Sequence, residues 1–382
     1  MGHSPLSTKP DILIVGAGIV GAACAAECTR AGLKVLVLDR GPIGGGTTAA
    51  GMGHLVVMDD SPAQFALTSY SCRLWHELAP LLPAAVEYDP CGTVWVAADG
   101  QEMTEVRRKH AYYREHGVAA DILDGPALAC AEPNLRRDLV GGLCVPDDAV
   151  LYPPSAAGFL LKQACAAGSE VRTGVEVRSL LPEGGAVLGD GTRLVAGIVV
   201  NAAGPWSPTL TRGLPVRKRK GHLVITDRYP GFVRHQIIEL GYLKSAHAVA
   251  ADSVAFNIQP RKTGQMLIGS SRQFDSEDTE INQPILDRML GRALEYLPTL
   301  DRLSAIRCWT GYRAATPDKL PLIGPSLEGD KVWLATGHEG LGITTSLATG
   351  RLLVDLLLKR KSEIPVEPYL PARLAKGGAK RD

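Results

Sequence analysis

The feature that most restricts how this chain can fold lies near its start. The β-branched run Asp11–Val15 leads directly into Gly16-Ala17-Gly18-Ile19-Val20-Gly21. A short apolar run stopped by glycine reads as a buried parallel strand. An Ala-rich helix follows to about Ala31, Gly32 closes it, and Lys34–Leu38 forms a second strand ending at Asp39. Within this βαβ unit Gly16 permits the tight turn, Gly18 lets backbone reach a pyrophosphate, and Gly21 allows the helix to pack closely on the strand. The amides that open the helix, at Ile19 and Val20, sit at its positive end and hold phosphate without a lysine. Asp39 lies 23 residues after Gly16, with Arg40 beside it, where a carboxylate accepts from ribose hydroxyls. The pattern predicts a dinucleotide site but does not separate NAD from FAD.

Two further segments favour FAD. The loop Gly44–Gly53 directly follows Asp39 and carries small and hydroxyl side chains suited to wrapping a long ligand. A late glycine segment, Gly337–Thr344, precedes the final long helix. Glycine loops at both ends of one chain call for a ligand that spans them. Glycine is indeed abundant, 42 of 382 residues, with no collagen period, which points to loops of close backbone approach.

Length and composition narrow the class. A chain of 382 residues is a two-domain or large single-domain enzyme, and 45% hydrophobic with 21% charged residues excludes extended disorder. A formal charge of +1 removes any global pull toward nucleic acid or anionic lipid, so no nucleic-acid partner is expected. The basic run Arg217-Lys218-Arg219-Lys220 reads as a solvated strand edge. None of the eight cysteines forms a CxxC pair, so no metal site is expected, and Cys24 and Cys28 read as buried thiols on an apolar helix. No segment reads as a secretory signal, and the run Leu352–Leu358 is far short of the ~20 residues a membrane span needs. These features predict a soluble cytoplasmic protein, peripheral at the inner membrane if its electrons pass to quinone.

Further along, the pattern predicts a helix over Ser61–Leu78, a hairpin around Gly92–Val96, helices over Glu102–His116 and Pro153–Ala167, and strands at Val171–Thr173 and Ile198–Asn201. Residues 214–310 read as an antiparallel sheet with a helix near Ile285–Leu297, followed by a strand at Lys331–Ala335 and a helix over Leu341–Lys359. The expected fold is α/β: a Rossmann-like FAD-binding domain assembled from separated segments (1–85, 145–210 and 318–365), with an inserted, mainly antiparallel α+β substrate domain (86–144 and 211–317). Residues 366–382 are expected to form a mobile tail.

Together, GAGIVG at 16–21, TTAAGMG at 47–53, NAAGPWS at 201–207, GYRAATPDKLPLIG at 311–324 and TGHEGLGITTSLATG at 336–350 resemble the FAD-dependent D-amino-acid oxidase family, which includes glycine oxidase and sarcosine oxidase. GMGHLVVMDD at 51–60 combined with the last motif is most similar to bacterial D-hydroxyproline dehydrogenases. The resemblance implies that Thr47, Thr48, Ala50, Gly51 and Met52 touch the flavin, that Val177 meets the adenine through its backbone, and that Ala203, Gly204 and Trp206 pack around the cofactor. It places Gly340, Gly342, Ile343 and Thr344 at the flavin's pyrimidine edge, where a helix N-terminus stabilises negative charge. Flavins of the sarcosine branch are tethered through a cysteine in the segment matching Gly311–Asp318. Gly311 stands at that position, with Cys308 three residues away, so a noncovalent FAD is expected.

The implied chemistry moves a hydride from a substrate Cα to flavin N5 and leaves an imine, with positioning as the protein's main task. A bidentate arginine suits the substrate carboxylate, and Arg313 matches the position that serves this purpose in glycine oxidase-like relatives. His54, His222 and Glu339 are further candidates, Glu339 for a substrate hydroxyl or ring amine, while Tyr242 and Tyr312 are alternatives for closing the site. The expected substrate is a secondary or cyclic amino acid, D-hydroxyproline or D-proline first. Alternatives are a glycine- or sarcosine-type oxidase releasing peroxide, and an FAD-bearing non-catalytic subunit. Oxygen, a quinone and a partner subunit remain open as electron acceptor, as do homo- and hetero-oligomers.

Overall fold

The computed structural model describes residues 9–241, 252–274 and 276–375. Tyr242 lies outside them.

The apolar runs of the opening unit form the centre of a six-stranded sheet. Strands β1 (Ile12–Val15) and β2 (Val35–Asp39) pair in parallel, and β1 also pairs in parallel with β12 (Ile198–Asn201). The full order is β18-β19-β12-β1-β2-β8, where β8 is Glu170–Thr173, β18 Leu322–Ser326 and β19 Gly329–Thr336. Only β18 runs against its neighbour. The first helix, Ile19–Arg30, is buried over most of its length because it packs beneath the sheet and against the helices Pro153–Ala166 and Gly342–Leu357. Its small residues set that spacing. A Cβ added at Gly350 would lie 2.8 Å from the carbonyl oxygen of Ala23, so the two helices touch backbone to backbone.

A second, eight-stranded sheet has the order β17-β13-β16-β15-β14-β4-β6-β5. Here β4 is Thr93–Ala97, β5 Asp121–Asp124, β6 Gly141–Val145, β13 Arg217–Thr226, β14 Gln236–Glu239, β15 Ser253–Pro260, β16 Met266–Arg272 and β17 Ala305–Ala315. The helix Gln283–Tyr296, capped by Asn282, covers it with Leu286, Met289 and Ala293, and Tyr296 stacks on Phe256 at 4.7 Å. A three-stranded sheet, β9 (Val177–Leu180), β10 (Gly185–Leu188) and β11 (Arg193–Val195), and the short pair β3 (His54–Leu55) with β7 (Ala149–Val150), complete the framework.

Several sequence expectations change here. The strand at 93–97 is not half of a local hairpin: its antiparallel partner is β6, more than 40 residues on, and its other neighbour is β14, which runs parallel to it. That parallel seam joins the strands of 93–145 to those of 217–315; every other pairing in the sheet is antiparallel, as expected of a mainly antiparallel domain. The stretch 44–53, expected to be irregular, contains the short helix Gly46–Ala50. The basic run is a solvated edge only in part. Arg217 is exposed, but Arg219 and Lys220 are buried, with Lys220 Nζ 2.6 Å from Asp278 Oδ1.

The segment 366–375, expected as part of a mobile tail, is packed. Tyr369 is 1% exposed and its hydroxyl donates to the Ala63 carbonyl at 2.6 Å, while Arg373 pairs with Asp318. The rest of that tail lies outside the described residues. Removal of a buried ring of this size leaves a cavity, so Tyr369→Ala should lower stability by about 3–5 kcal/mol in urea unfolding. Tyr369→Phe should lose about 1 kcal/mol, the share of one hydrogen bond.

Candidate active site

A cavity of about 410 Å³ opens beyond the carboxyl ends of β1 and β2 and extends to the face of the eight-stranded sheet. One end is bounded by Asp39, Glu176 and Val177, the other by Gln64, Trp95 and Arg272. Open α/β sheets place ligands at such a crevice.

The glycine turn is shaped by contact rather than by flexibility alone. Gly16 has φ +118°, and a Cβ there would lie 2.5 Å from the Ala202 carbonyl oxygen; one at Gly21 would lie 1.9 Å from the Gly16 carbonyl. Gly18 fronts the cavity, where a Cβ would be 3.1 Å from Thr48 Oγ1. Asp39 spans the turn with both oxygens, accepting from the Ala17 amide at 2.6 Å and from the Gly41 amide at 2.7 Å. Each oxygen keeps a lone pair for a further donor, so Asp39 braces the loop and can still accept a hydrogen bond from the cavity side.

Two long helices begin at this cavity with no capping side chain on the residue that opens them, as does the short helix Gly46–Ala50. Gly18 opens the first helix and Leu341 opens Gly342–Leu357, whereas Ser61, Asp99, Asp124 and Asn282 cap the helices that follow them. Uncapped amides leave partial positive charge for a ligand to satisfy. At the first helix the Ile19 amide donates to Thr48 Oγ1 at 3.0 Å, so the Thr48 hydroxyl carries the helix's donor outward and still has its own proton to give. Val20, Ala50, Gly51 and Met52 complete the nearby wall.

The short helix Gly46–Ala50 is tied to the second sheet. Thr47 Oγ1 donates to the Tyr312 carbonyl at 2.8 Å, Trp309 Nε1 to the Ala50 carbonyl at 3.3 Å, and Gln259 Nε2 to the Met52 carbonyl at 2.9 Å. Gly311 permits the contact, since a Cβ there would lie 2.4 Å from that of Ala50. Arg40 stacks its guanidinium on Trp206, 5.0 Å from the ring centroid, closing the cavity beside Ala203 and Gly204. Glycine turns, two open helix ends and an extended cleft fit an extended dinucleotide.

The far half of the cavity is cationic. Because side chains alternate along a strand, Arg219 and Gly221 of β13, Ser270 and Arg272 of β16, and Arg313 of β17 share one face, and all line the cavity. Arg313 crosses over Gly221 to donate from Nη1 to the Ser271 carbonyl at 3.0 Å. A Cβ at Gly221 would lie 2.4 Å from that nitrogen, so the glycine makes the room. Glu339 faces this group from the loop before the last helix and pairs with Arg219. Asp60 and Lys319, 3.9 Å apart, bridge another part of the wall.

The histidines take different parts. His54 lines the cavity; burial, reinforced by the Arg313 charge, pushes its imidazole down to about 4, against a hydrogen bond with the Gly340 backbone. It is therefore neutral at physiological pH. His222, expected as a catalytic candidate, also lines the cavity. Its Nδ1 lies 2.8 Å from Ser271 Oγ and its Nε2 accepts from the Asn282 amide at 3.0 Å, so both ring nitrogens are engaged within the protein. Thr344 is also set back from the cavity wall: its hydroxyl donates to the His54 carbonyl at 2.9 Å and braces β3, while Gly340, Gly342 and Ile343 line the cavity. Tyr312 lines it too, but its hydroxyl is turned to the Asp278 carbonyl.

Arg219, Gly221 and Arg272 were missed from sequence. Strand alternation placed them on one face with Arg313, but only the non-sequential order of β17, β13 and β16 makes them neighbours. Among the described residues no helix is long and apolar enough to cross a membrane.

Comparison with known proteins agrees with this geometry. A family profile described as FAD dependent oxidoreductase matches residues 11–356. The chain is 29% identical to a glycine oxidase of Pseudomonas aeruginosa over 94% of this chain and 98% of that protein. It is 30% identical to a bifunctional protein ThiO/ThiG of Nostoc sp. over 92% of this chain, but spans only 53% of that longer relative. The crystal structure of glycine oxidase from Geobacillus kaustophilus superposes with a TM-score of 0.86 at 25% identity, covering 96% of this chain and 99% of that one.

His338, also on the cavity wall, gives a test of its buried environment. Burial pushes its imidazole down to about 3, and its Nε2 lies 2.9 Å from Thr349 Oγ1. The folded protein thus refuses a proton that the unfolded chain binds below about pH 6.5. Its stability contribution is complete above that pH and is lost as pH falls toward 3. In urea unfolding between pH 6.5 and 4.5, His338→Gln should flatten the acid loss of stability by about 1.4 kcal/mol per pH unit relative to the parent.

Proposed function

This chain belongs to the FAD dependent oxidoreductase family, and from that premise we propose that it oxidises a secondary or cyclic amino acid to its imine, with D-hydroxyproline or D-proline as substrate. The observation that carries the reading is the Arg313 guanidinium, set on the cavity wall over Gly221 and beside Gly340. A Cβ at Gly340 would lie 3.5 Å from Arg313 Nε, so this cation stands against the open end of the last helix. Bound FAD supplies a two-electron acceptor that takes the substrate's Cα hydride.

The protein's own part is placement. The amides at the first helix end and the Thr48 hydroxyl would hold the pyrophosphate, Asp39 would accept from the ribose, and the uncapped start of Gly342–Leu357 would stabilise negative charge on the reduced ring. Arg313 anchors the substrate carboxylate and so fixes which face of Cα is presented; orientation of this kind contributes roughly 7–11 kcal/mol at best. His54, held neutral by burial and by Arg313, adds no competing positive charge near the amine, which must shed its proton before the imine forms. The cofactor is noncovalent in this reading: Gly311 offers no thiol, and among the described residues no cysteine lines the cavity.

The glycine oxidase relatives favour oxygen as an alternative acceptor and a smaller amine as an alternative substrate. Anaerobic titration of the yellow holoenzyme with D- and L-proline, both hydroxyproline epimers, sarcosine and glycine decides the substrate; bleaching is expected with the D-configured rings. Bleaching by glycine or sarcosine alone would replace this reading with the oxidase, and peroxide release in air identifies the acceptor. Arg313→Ala should reduce kcat/KM by ~30- to several thousand-fold, chiefly through KM, the cost of about 2–5 kcal/mol for removing one partner of a buried charge pair. Near-parental kinetics would remove Arg313 from the role.

A further inference from the structure

Beside Arg313, the ion pair of Glu339 with Arg219 is only half used. Glu339 Oε1 accepts from Arg219 Nη1, and the aromatic ring of Phe274 lies 4.6 Å beneath the guanidinium. Glu339 Oε2 and Arg219 Nε are buried and have no hydrogen-bond partner among the described residues. Glu339 is moreover held in the left-handed region at φ +53°, a conformation that strains a non-glycine residue and clusters at functional sites. Its backbone is fixed there by the Glu339 amide, which donates to the Ala314 carbonyl at 2.9 Å.

An acceptor and a donor left unpaired at one ion pair call for a group that gives and takes a hydrogen bond at once. A hydroxyl does both, whereas an ammonium only donates, a carbonyl only accepts, and a methylene does neither. The position suits a substrate: both side chains line the cavity, Arg219 stands directly opposite Arg313 in the β13–β17 register, and Gly340, next to Glu339, abuts Arg313. We infer that Glu339 and Arg219 are specificity residues that read a hydroxyl group on the substrate ring. The hydroxyl donates to Glu339 Oε2 and accepts from Arg219 Nε while the carboxylate is held on Arg313. No bond to the hydroxyl is made or broken. The inference rests on the proposed amino-acid oxidation and adds the feature that selects among rings.

The test is the ratio of kcat/KM for 4-hydroxy-D-proline over D-proline, measured on the holoenzyme by anaerobic flavin reduction in the parent and in Glu339→Gln and Arg219→Lys. A site built to pair a substrate hydroxyl rejects the analogue lacking it, so the parent should favour the hydroxylated ring by at least about tenfold. Both variants should bring that ratio toward one, whatever their absolute rates. A parental ratio near one overturns the inference while leaving the oxidation of cyclic amino acids standing. Variants that slow both rings equally, with the ratio intact, also overturn it and reduce the pair to a structural tie. Reduction by glycine or sarcosine with neither ring active removes the ring substrate itself, and the inference with it.

Discussion

Everything in this structure depends on how closely three stretches of backbone approach one another past the end of β1. At Gly16 the chain lies against the carbonyl of Ala202, at the end of β12, and Gly21 lies against Gly16 in turn, with no room at either point for a methyl group. Because nothing fills that junction, the first helix starts immediately at the sheet edge, where Gly18 and Val20 line the cavity and Thr48 takes up the Ile19 amide. A bulkier turn would push the helix away, and the same peptide groups would be left to water or to a capping side chain.

The second requirement is to keep several like charges on one sheet face. Arg219 and Arg313 are direct partners across β13 and β17, an arrangement that is unfavourable in isolation. Two features offset it: Glu339 reaches in from the loop before the last helix to pair with Arg219, and Arg313 is drawn across Gly221 onto a carbonyl of β16. The positive density that remains suits a carboxylate, and its neighbour His54 is kept from adding to it. The same loop therefore supplies the open helix end on one side and the balancing carboxylate on the other, so Glu339 to Ile343 join the cofactor half of the cavity to its cationic half.

Local pattern was enough to read the first of these requirements. Ile12–Val15, the glycine turn, Ile19–Arg30 and Val35–Asp39 each carry their signal within a few residues, and Ser61 with Pro62 marks the start of the next helix by its cap. What escaped was set by strand order. Thr93–Ala97 looked like half of a hairpin because its true neighbours, Gly141–Val145 and Gln236–Glu239, are distant in sequence. Arg219 looked like part of a solvated basic run because four consecutive cations are drawn to water on average, yet alternation sends this one inward, where Glu339 and Phe274 receive it. His222, singled out by residue type, does line the cavity, and what the sequence did not show is that its ring nitrogens are engaged by Ser271 and by the Asn282 amide.

That contrast separates the two halves of the cavity by the kind of information that specifies them. The dinucleotide half is recognised by backbone, through turns and helix ends that glycine makes possible, and such features leave a contiguous trace in sequence. The cationic half is recognised by side chains from strands brought together across the sheet, each contributing one residue in two. A new substrate preference can therefore arise by exchanging a few alternate positions on β13, β16 and β17, without disturbing the strand pairing that holds them. The glycine-turn half is less open to such exchange, because its shape lies chiefly in the path of the chain itself.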